Sequence, residues 1–395
     1  MEELAPASEE LMREATLETI AAKRPLEIRG QGTRRGVGRP TSAAAILSSA
    51  ALSKILYHEP AELVLCAQAG APLRDIVAQL DAHEQEFAFE PIDHGFFYGE
   101  EPGGGTIGGL VAVNASGPRR IKAGAARDHL LGFRCVTGRG DIVKSGGRVM
   151  KNVTGYDLSK LVAGSHGTLA ILTEVTLKVL PKAETERTIL LPAASEAEGL
   201  AALRQASGLP FDVSGLALRP ALLRGRPTAA LRLEGPRISV LTRRDALIAH
   251  FRTMAAETLE EGPSRLLWAD LRDGGPVRTS PGQVWRISTA PSQGGPVLDA
   301  IKAANTPVAS YFYDWAGGLL WLCLEEAPNA HAPSVRAALE AAGGHATLMR
   351  ASSETRASVD VFHPQSGALA ALSKRIKQSF DPLSIFNPGR MCADF

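Results

Sequence analysis

Between positions 102 and 109 the chain reads Pro-Gly-Gly-Gly-Thr-Ile-Gly-Gly, five glycines in eight residues. Such a run cannot build a core, because glycine has no side chain to pack and loses the most backbone freedom on folding. It allows close approach instead. Without a Cβ in the way, successive N–H groups can line a concavity for an anion, most often phosphate. A second segment, Gly164-Ser165-His166-Gly167-Thr168-Leu169, has the same character. Together they point to a phosphorylated cofactor held through the backbone. Gly103, Gly105 and Gly108 also spell G-x-G-x-x-G, but that fingerprint needs a buried strand directly before it. Residues 94–102 read as a loop ending at Pro102, and the following helix is cut short by Asn114, Gly117 and Pro118. A Rossmann unit is rejected, and no Walker A sequence occurs.

A chain of 395 residues suits two domains. The net charge of +1, with no long single-sign run, argues against nucleic acid as a partner. Arg34-Arg35 and Arg119-Arg120 read as solvated loop charge. Cys66, Cys135, Cys323 and Cys392 are far apart and form no C-x-x-C, so no iron–sulfur or zinc framework is expected, and no metal site. Cys66 and Cys135 lie in apolar runs and are expected to be buried thiols. The N-terminus is acidic and lacks the apolar region of a signal peptide, and no apolar run reaches membrane-spanning length. A cytoplasmic protein without direct membrane insertion is expected, with any inner-membrane association made through partners.

Along the chain, 8–24 predicts a helix capped by Ser8 and stopped by Pro25. Strands are expected at 26–29 and 62–67, and a helix near 72–82. Gly132 to Thr137 and Asp141 to Ser145 predict a hairpin around Gly138-Arg139-Gly140. Period-two alternation marks a long strand over 171–179. From 184 to 350 the character changes. Strand-like runs at 186–192, 213–218, 228–234, 284–289, 308–315 and 319–325 alternate with helices near 196–206, 238–256, 296–304 and 333–342. That pattern predicts an α+β module on an antiparallel sheet, with 260–283 as a long Gly/Pro/Arg-rich loop. The expected division is 1–183, 184–350 and a C-terminal return segment, 351–395, packing on the first domain.

Four segments in this order resemble the vanillyl-alcohol oxidase and p-cresol methylhydroxylase flavoprotein family. They are Arg29-Gly30-Gln31-Gly32-Thr33, then Gly105-Thr106-Ile107-Gly108-Gly109 with Asn114-Ala115-Ser116-Gly117, then 164–169, and finally Phe386-Asn387-Pro388-Gly389. Lys151-Asn152-Val153-Thr154-Gly155-Tyr156-Asp157, Arg127-Asp128-His129, Trp285-Arg286 and Asp314-Trp315-Ala316-Gly317-Gly318 are similar to the FAD-binding subunits of bacterial glycolate oxidases. The resemblance implies a two-lobed α+β FAD-binding fold of that type with an antiparallel-sheet cap. It also implies that residues 29–33 carry the FAD pyrophosphate and that Thr106, Ile107, Gly108 and Gly109 offer it N–H groups. Gly105 belongs to the same loop. Asn114, Ser116 and Gly117 are implied near the flavin, Gly164, Ser165, Gly167, Thr168 and Ile171 near adenosine, and Asn387 returning toward the flavin. Covalent tethering in the family uses a histidine or cysteine. The first loop has neither, and non-covalent FAD is expected.

The implied reaction is oxidation of a small 2-hydroxy acid, glycolate to glyoxylate, with electrons passed onward. It needs a cation for the carboxylate, for which Arg is best suited, and a base for the hydroxyl proton. Arg286, His363 and Tyr313 are the candidates, although Tyr311 and Tyr313 share one strand face as core aromatics do. The His-Gly-Asp-Gly-Asn signature of catalytic relatives is absent. The resemblance therefore also implies a hetero-oligomer with a second flavoprotein subunit and an iron–sulfur subunit. The alternatives are a free-standing dehydrogenase for lactate or 2-hydroxyglutarate, and a non-catalytic structural subunit.

Overall fold

The computed structural model describes residues 1–100, 103–148 and 156–394, so residues 151–155 of the glycolate-oxidase-like segment lie outside it. The chain divides into two units. The first comprises Met1–Ser116, Gly124–Lys182 and Pro364–Phe395; the second comprises Gly117–Ala123 and Ala183–His363. The sequence-based division differs at two points. Gly117–Ala123 joins the second unit, where Arg119 forms an ion pair with Glu234. The second unit also runs past 350 to His363, because Leu348 N bonds to Val361 O.

In the first unit the helix Glu9–Ala21 starts at Ser8, whose hydroxyl accepts from Leu11 N. Leu26–Arg29 lies parallel to Ala45–Ser48, which also pairs with Glu2–Leu4. A five-stranded antiparallel sheet runs in the order Ile55–Glu59, Val64–Gln68, Ala170–Lys178, Leu130–Thr137, Ile142–Gly146. Its central strand, Ala170–Lys178, alternates in sequence but is buried on both faces: Ile171 and Val175 on one parity, Leu172 and Thr176 on the other. Cys66 and Cys135 are buried. Among the described residues no helix is long and apolar enough to cross a membrane.

The second unit is an eight-stranded antiparallel sheet. Its order is Glu257–Leu259, Thr185–Pro192, Arg226–Gly235, Gly215–Leu223, Val308–Asp314, Leu319–Leu324, Gln283–Ser288, His345–Arg350. The helices Glu196–Ser207, Arg237–His250, Gly294–Ala303 and Ala332–Ala342 supply Leu200, Leu203, Val240, Leu247, Val297, Ile301 and Val335 to the core on one face. The expected loop at 260–283 instead contains the helices Glu261–Arg272 and Gly275–Thr279. Pro263 and Pro276 fall in first turns, where a missing N–H costs nothing. Trp268 anchors the longer helix, donating its indole N–H to Thr188 Oγ1 at 2.7 Å.

Under that helix lies a buried acidic pair. Ser264 Oγ donates to Glu186 Oε1 at 2.6 Å, and Glu234 accepts two prongs of Arg119. Burial pushes the Glu186 carboxyl up to about 7 despite Arg232, with Glu234 adding to the rise. Burial also pushes Glu234 up, but Arg232 and Arg119 outweigh it and hold it at about 2. A carboxyl whose folded pKa is raised binds its proton more tightly when folded. Its contribution therefore falls as pH climbs from the unfolded value toward 7. Glu186→Gln keeps the acceptor for Ser264 and removes this titration. It is expected to be about 1–2 kcal/mol more stable than the parent at pH 8 and no more stable at pH 4.5, as read by denaturant unfolding at the two pH values. An equal change at both pH values would contradict the assignment.

Candidate functional site

A built site of the first unit opens where Leu26–Arg29 ends. The N–H groups of Gln31, Gly32, Thr33 and Arg34 have no acceptor among the described residues. Four successive free donors on one turn make an anion-binding concavity. The glycine-rich segment packs against this loop: Gly105 N donates to Gln31 Oε1 at 3.0 Å. Gly105 adopts φ +95°, and a Cβ there would stand 2.6 Å from Arg34 Nη1, so no other residue suits the position.

Three of the four donors expected from 106–109, those of 107–109, are already committed within the protein. Ile107 N bonds to Ala71 O at 3.1 Å, Gly108 N to Ala69 O at 2.8 Å, and Gly109 N to Thr106 Oγ1 at 3.2 Å. Thr106 is the N-cap of the helix Ile107–Val113. A Cβ on Gly108 would meet Ala69 O at 2.8 Å, so this glycine serves helix packing. Most of the free donors belong to the first loop, and the glycine-rich segment is its floor.

Of the cofactor positions singled out from sequence, Arg29, Gly30, Gln31, Gly32, Thr33, Gly105, Thr106, Gly108, Gly109, Ser165, Gly167, Ile171 and Asn387 line this pocket. Ile107, Asn114, Ser116, Gly164 and Thr168 do not, and Gly117 belongs to the second unit. Asn114 and Ser116 organise a turn: Asn114 Oδ1 accepts from Arg127 N and Ser116 Oγ from Ala126 N, both at 2.9 Å. Asn387 is a brace. Its Oδ1 accepts from Ile28 N at 2.9 Å and its Nδ2 donates to His166 O at 2.8 Å, joining the C-terminal segment to both sides of the pocket. Behind it, Lys377 Nζ donates to Thr168 O at 2.7 Å, Asp381 Oδ2 at 2.6 Å and Phe386 O at 3.0 Å.

Four arginines line the pocket. Arg29 pairs with Glu3 at 2.6 Å, Arg35 with Glu27 at 2.7 Å and Arg390 with Glu27 at 3.6 Å. Arg34 has neither an ion pair nor a hydrogen bond through its guanidinium among the described residues, and its Nε and Nη2 are shut off from solvent. The reading of Arg34-Arg35 as solvated charge is overturned for Arg34, while Arg35 stays exposed beside Glu27. That of Arg119-Arg120 is overturned too, since Arg119 grips Glu234 and the Arg120 guanidinium lies 4.9 Å from the Trp315 ring centre.

In the second unit, Arg286 alternates with Trp285 and Ile287, which point into the helix-side core. On the opposite face Arg286 is registered with Trp321 and Thr347. Its guanidinium lies 5.0 Å from the Trp315 ring centre and 5.9 Å from that of Trp321. Among the described residues it has no hydrogen-bond acceptor. Burial holds its pKa down to about 10, with Arg120 pushing the same way and Asp314 opposing. Burial and then Arg286 and His363 lower the His345 imidazole, which places it in the field of both. His363 Nδ1 accepts from Arg336 Nη1 at 2.9 Å, and burial followed by Arg336 keeps it below its ordinary range. Tyr313 does not join this cluster. It is registered with Leu320, on the helix-side face, and burial followed by Glu196 drives its hydroxyl pKa upward. Arg34, Arg120 and His345 were missed from sequence. The two arginines had only an Arg-Arg doublet as signal, and His345 had none.

Residues 3–146 match the model of the FAD binding domain family. The chain is 34% identical over 378 residues to "Glycolate oxidase subunit GlcE" of Escherichia coli, covering 95% of each chain. It is 27% identical to "Glycolate oxidase subunit GlcD" of Bacillus subtilis, over 93% of this chain and 84% of that one. Its fold is similar to that of 4-ethylphenol oxidase from Gulosibacter chungangensis, with a TM-score of 0.71 at 14% identity over 99% of this chain and 88% of that one.

Proposed function

This chain belongs to the family of the FAD-binding glycolate oxidase subunit GlcE, and we propose that it is the FAD-bearing subunit of a dehydrogenase that oxidises glycolate to glyoxylate. FAD is the cofactor of the fold, and the first unit suits it: a loop with four free N–H donors needs a buried anion. The loop 30–33 contains neither histidine nor cysteine, so we assign FAD held without a covalent bond. When bound, FAD takes the two electrons leaving C2 of the hydroxy acid.

The observation that carries the substrate reading is Arg286. A guanidinium in the middle of a strand, facing two indoles and lacking an acceptor, is poised for a bidentate carboxylate. In this proposal Arg286 fixes the carboxylate of glycolate. His363 is kept neutral, and because its Nδ1 accepts from Arg336 its ring proton sits on Nε2, which in this proposal donates to the hydroxyl oxygen of glycolate and orients it. Tyr313 is a packing residue behind the sheet. The assembly we propose is a hetero-oligomer with a second flavoprotein subunit and an iron–sulfur subunit, cytoplasmic and peripheral at the inner membrane through those partners.

The test is the visible spectrum of the purified chain before and after anaerobic glycolate. Bleaching of the flavin bands supports oxidation by this chain. Bands that persist with glycolate, in the chain and in its complex, would remove glycolate as the substrate.

A further inference from the structure

We propose that Arg34 is the side chain that grips the diphosphate of FAD, left without an ion-paired carboxylate so that the cofactor supplies the missing negative charge. The inference rests on FAD being the ligand of the first unit. Three observations carry it. The first is the contrast within the pocket, where Arg29, Arg35 and Arg390 each have a carboxylate within 4 Å and Arg34 has none among the described residues. The second is desolvation that the fields of Asp93 and Tyr98 only partly offset. Arg34 Nε and Nη2 are closed to solvent and have no acceptor, although buried polar groups are rarely left so. The third is placement. Arg34 closes the run of four free N–H groups, and its Nη1 lies over the bare Cα of Gly105, so backbone and side-chain donors converge on one anion. A guanidinium fork together with backbone N–H groups matches the oxygens of a diphosphate.

The same geometry separates two roles for this arginine. A structural arginine stabilises the protein whether or not ligand is present. An arginine waiting for a diphosphate is a burden until the ligand arrives. Arg34→Met keeps the length and removes the charge. FAD affinity of the wild-type full chain is measured first, and failure to bind FAD there removes the cofactor assignment and this proposal together. If the wild type binds, Arg34→Met is expected to weaken FAD and ADP alike, by about 10- to 100-fold. Both ligands carry the diphosphate. The ligand-free melting temperature is expected to stay level or rise. Arg34→Lys retains a charge without the fork, and its expected loss is less than about tenfold. Unchanged FAD affinity in Arg34→Met overturns the proposal while leaving FAD in place. So does a loss for FAD without one for ADP, or a fall in ligand-free melting temperature shared by both variants.

Discussion

Lys377→Met is expected to destabilise the first unit by about 3–5 kcal/mol. Lys377 and Asp381 are 1% and 0% exposed, one helical turn apart at 2.6 Å. The ammonium uses all three donors, on Asp381, Thr168 O and Phe386 O. Asp381 in turn accepts from Ile385 N and Phe386 N. Methionine fills the stem volume but leaves a buried carboxylate and two buried carbonyls unanswered. The double variant Lys377→Met/Asp381→Leu removes both charges and is expected to recover part of the loss, since the pair's own desolvation cost disappears with it. Urea unfolding followed by flavin fluorescence reads both, because the clasp holds the segment that braces the pocket through Asn387. A loss below about 1 kcal/mol in the single variant would mean that the interior there relaxes or admits water.

Arg286→Met is expected to lower kcat/KM for glycolate by about 10²–10³-fold while leaving flavin occupancy unchanged. The occupancy control follows from placement: Arg286 is in the second unit, and the FAD pocket is built from first-unit residues. The size follows from removing the charged partner of a desolvated carboxylate. Methionine keeps an apolar side chain beside Trp315 and Trp321, so packing is retained in large part. The readout is the anaerobic rate of flavin bleaching against glycolate concentration. Arg286→Lys, a point charge without the fork, should recover only part of the rate. An unchanged rate in Arg286→Met would place the carboxylate elsewhere.

How much of this was legible in the chain depended on the range of the forces involved. The Ser8 cap, the hairpin at Gly138–Gly140, the cap-sheet strands and the Gly/Thr segments of the cofactor loops rest on interactions within a few residues. Those segments, taken in order, also pointed to an FAD-binding fold. Composition misled at 260–283, where Pro and Gly suggested a loop. Two prolines sat where helices tolerate them, and Trp268 found a buried partner 80 residues away.

Charge was the poorest guide. The doublets Arg34-Arg35 and Arg119-Arg120 look alike in sequence. Yet Arg35 finds Glu27, Arg119 finds Glu234 115 residues later, and Arg34 has only the field of Asp93, with no carboxylate in ion-pair reach among the described residues. Likewise, nothing local shows that the N–H groups of Gly108 and Gly109 are already bonded while those of Gln31 to Arg34 are free. The sequence by itself determined most of the elements and the two-unit α+β organisation, because backbone conformation and hydrophobic periodicity are short-range properties; its glycine segments pointed to a phosphorylated cofactor, and the family resemblance named FAD. Only the tertiary structure decided which donors and cations remain unspent, because satisfaction of a buried polar group depends on partners that folding brings from distant parts of the chain.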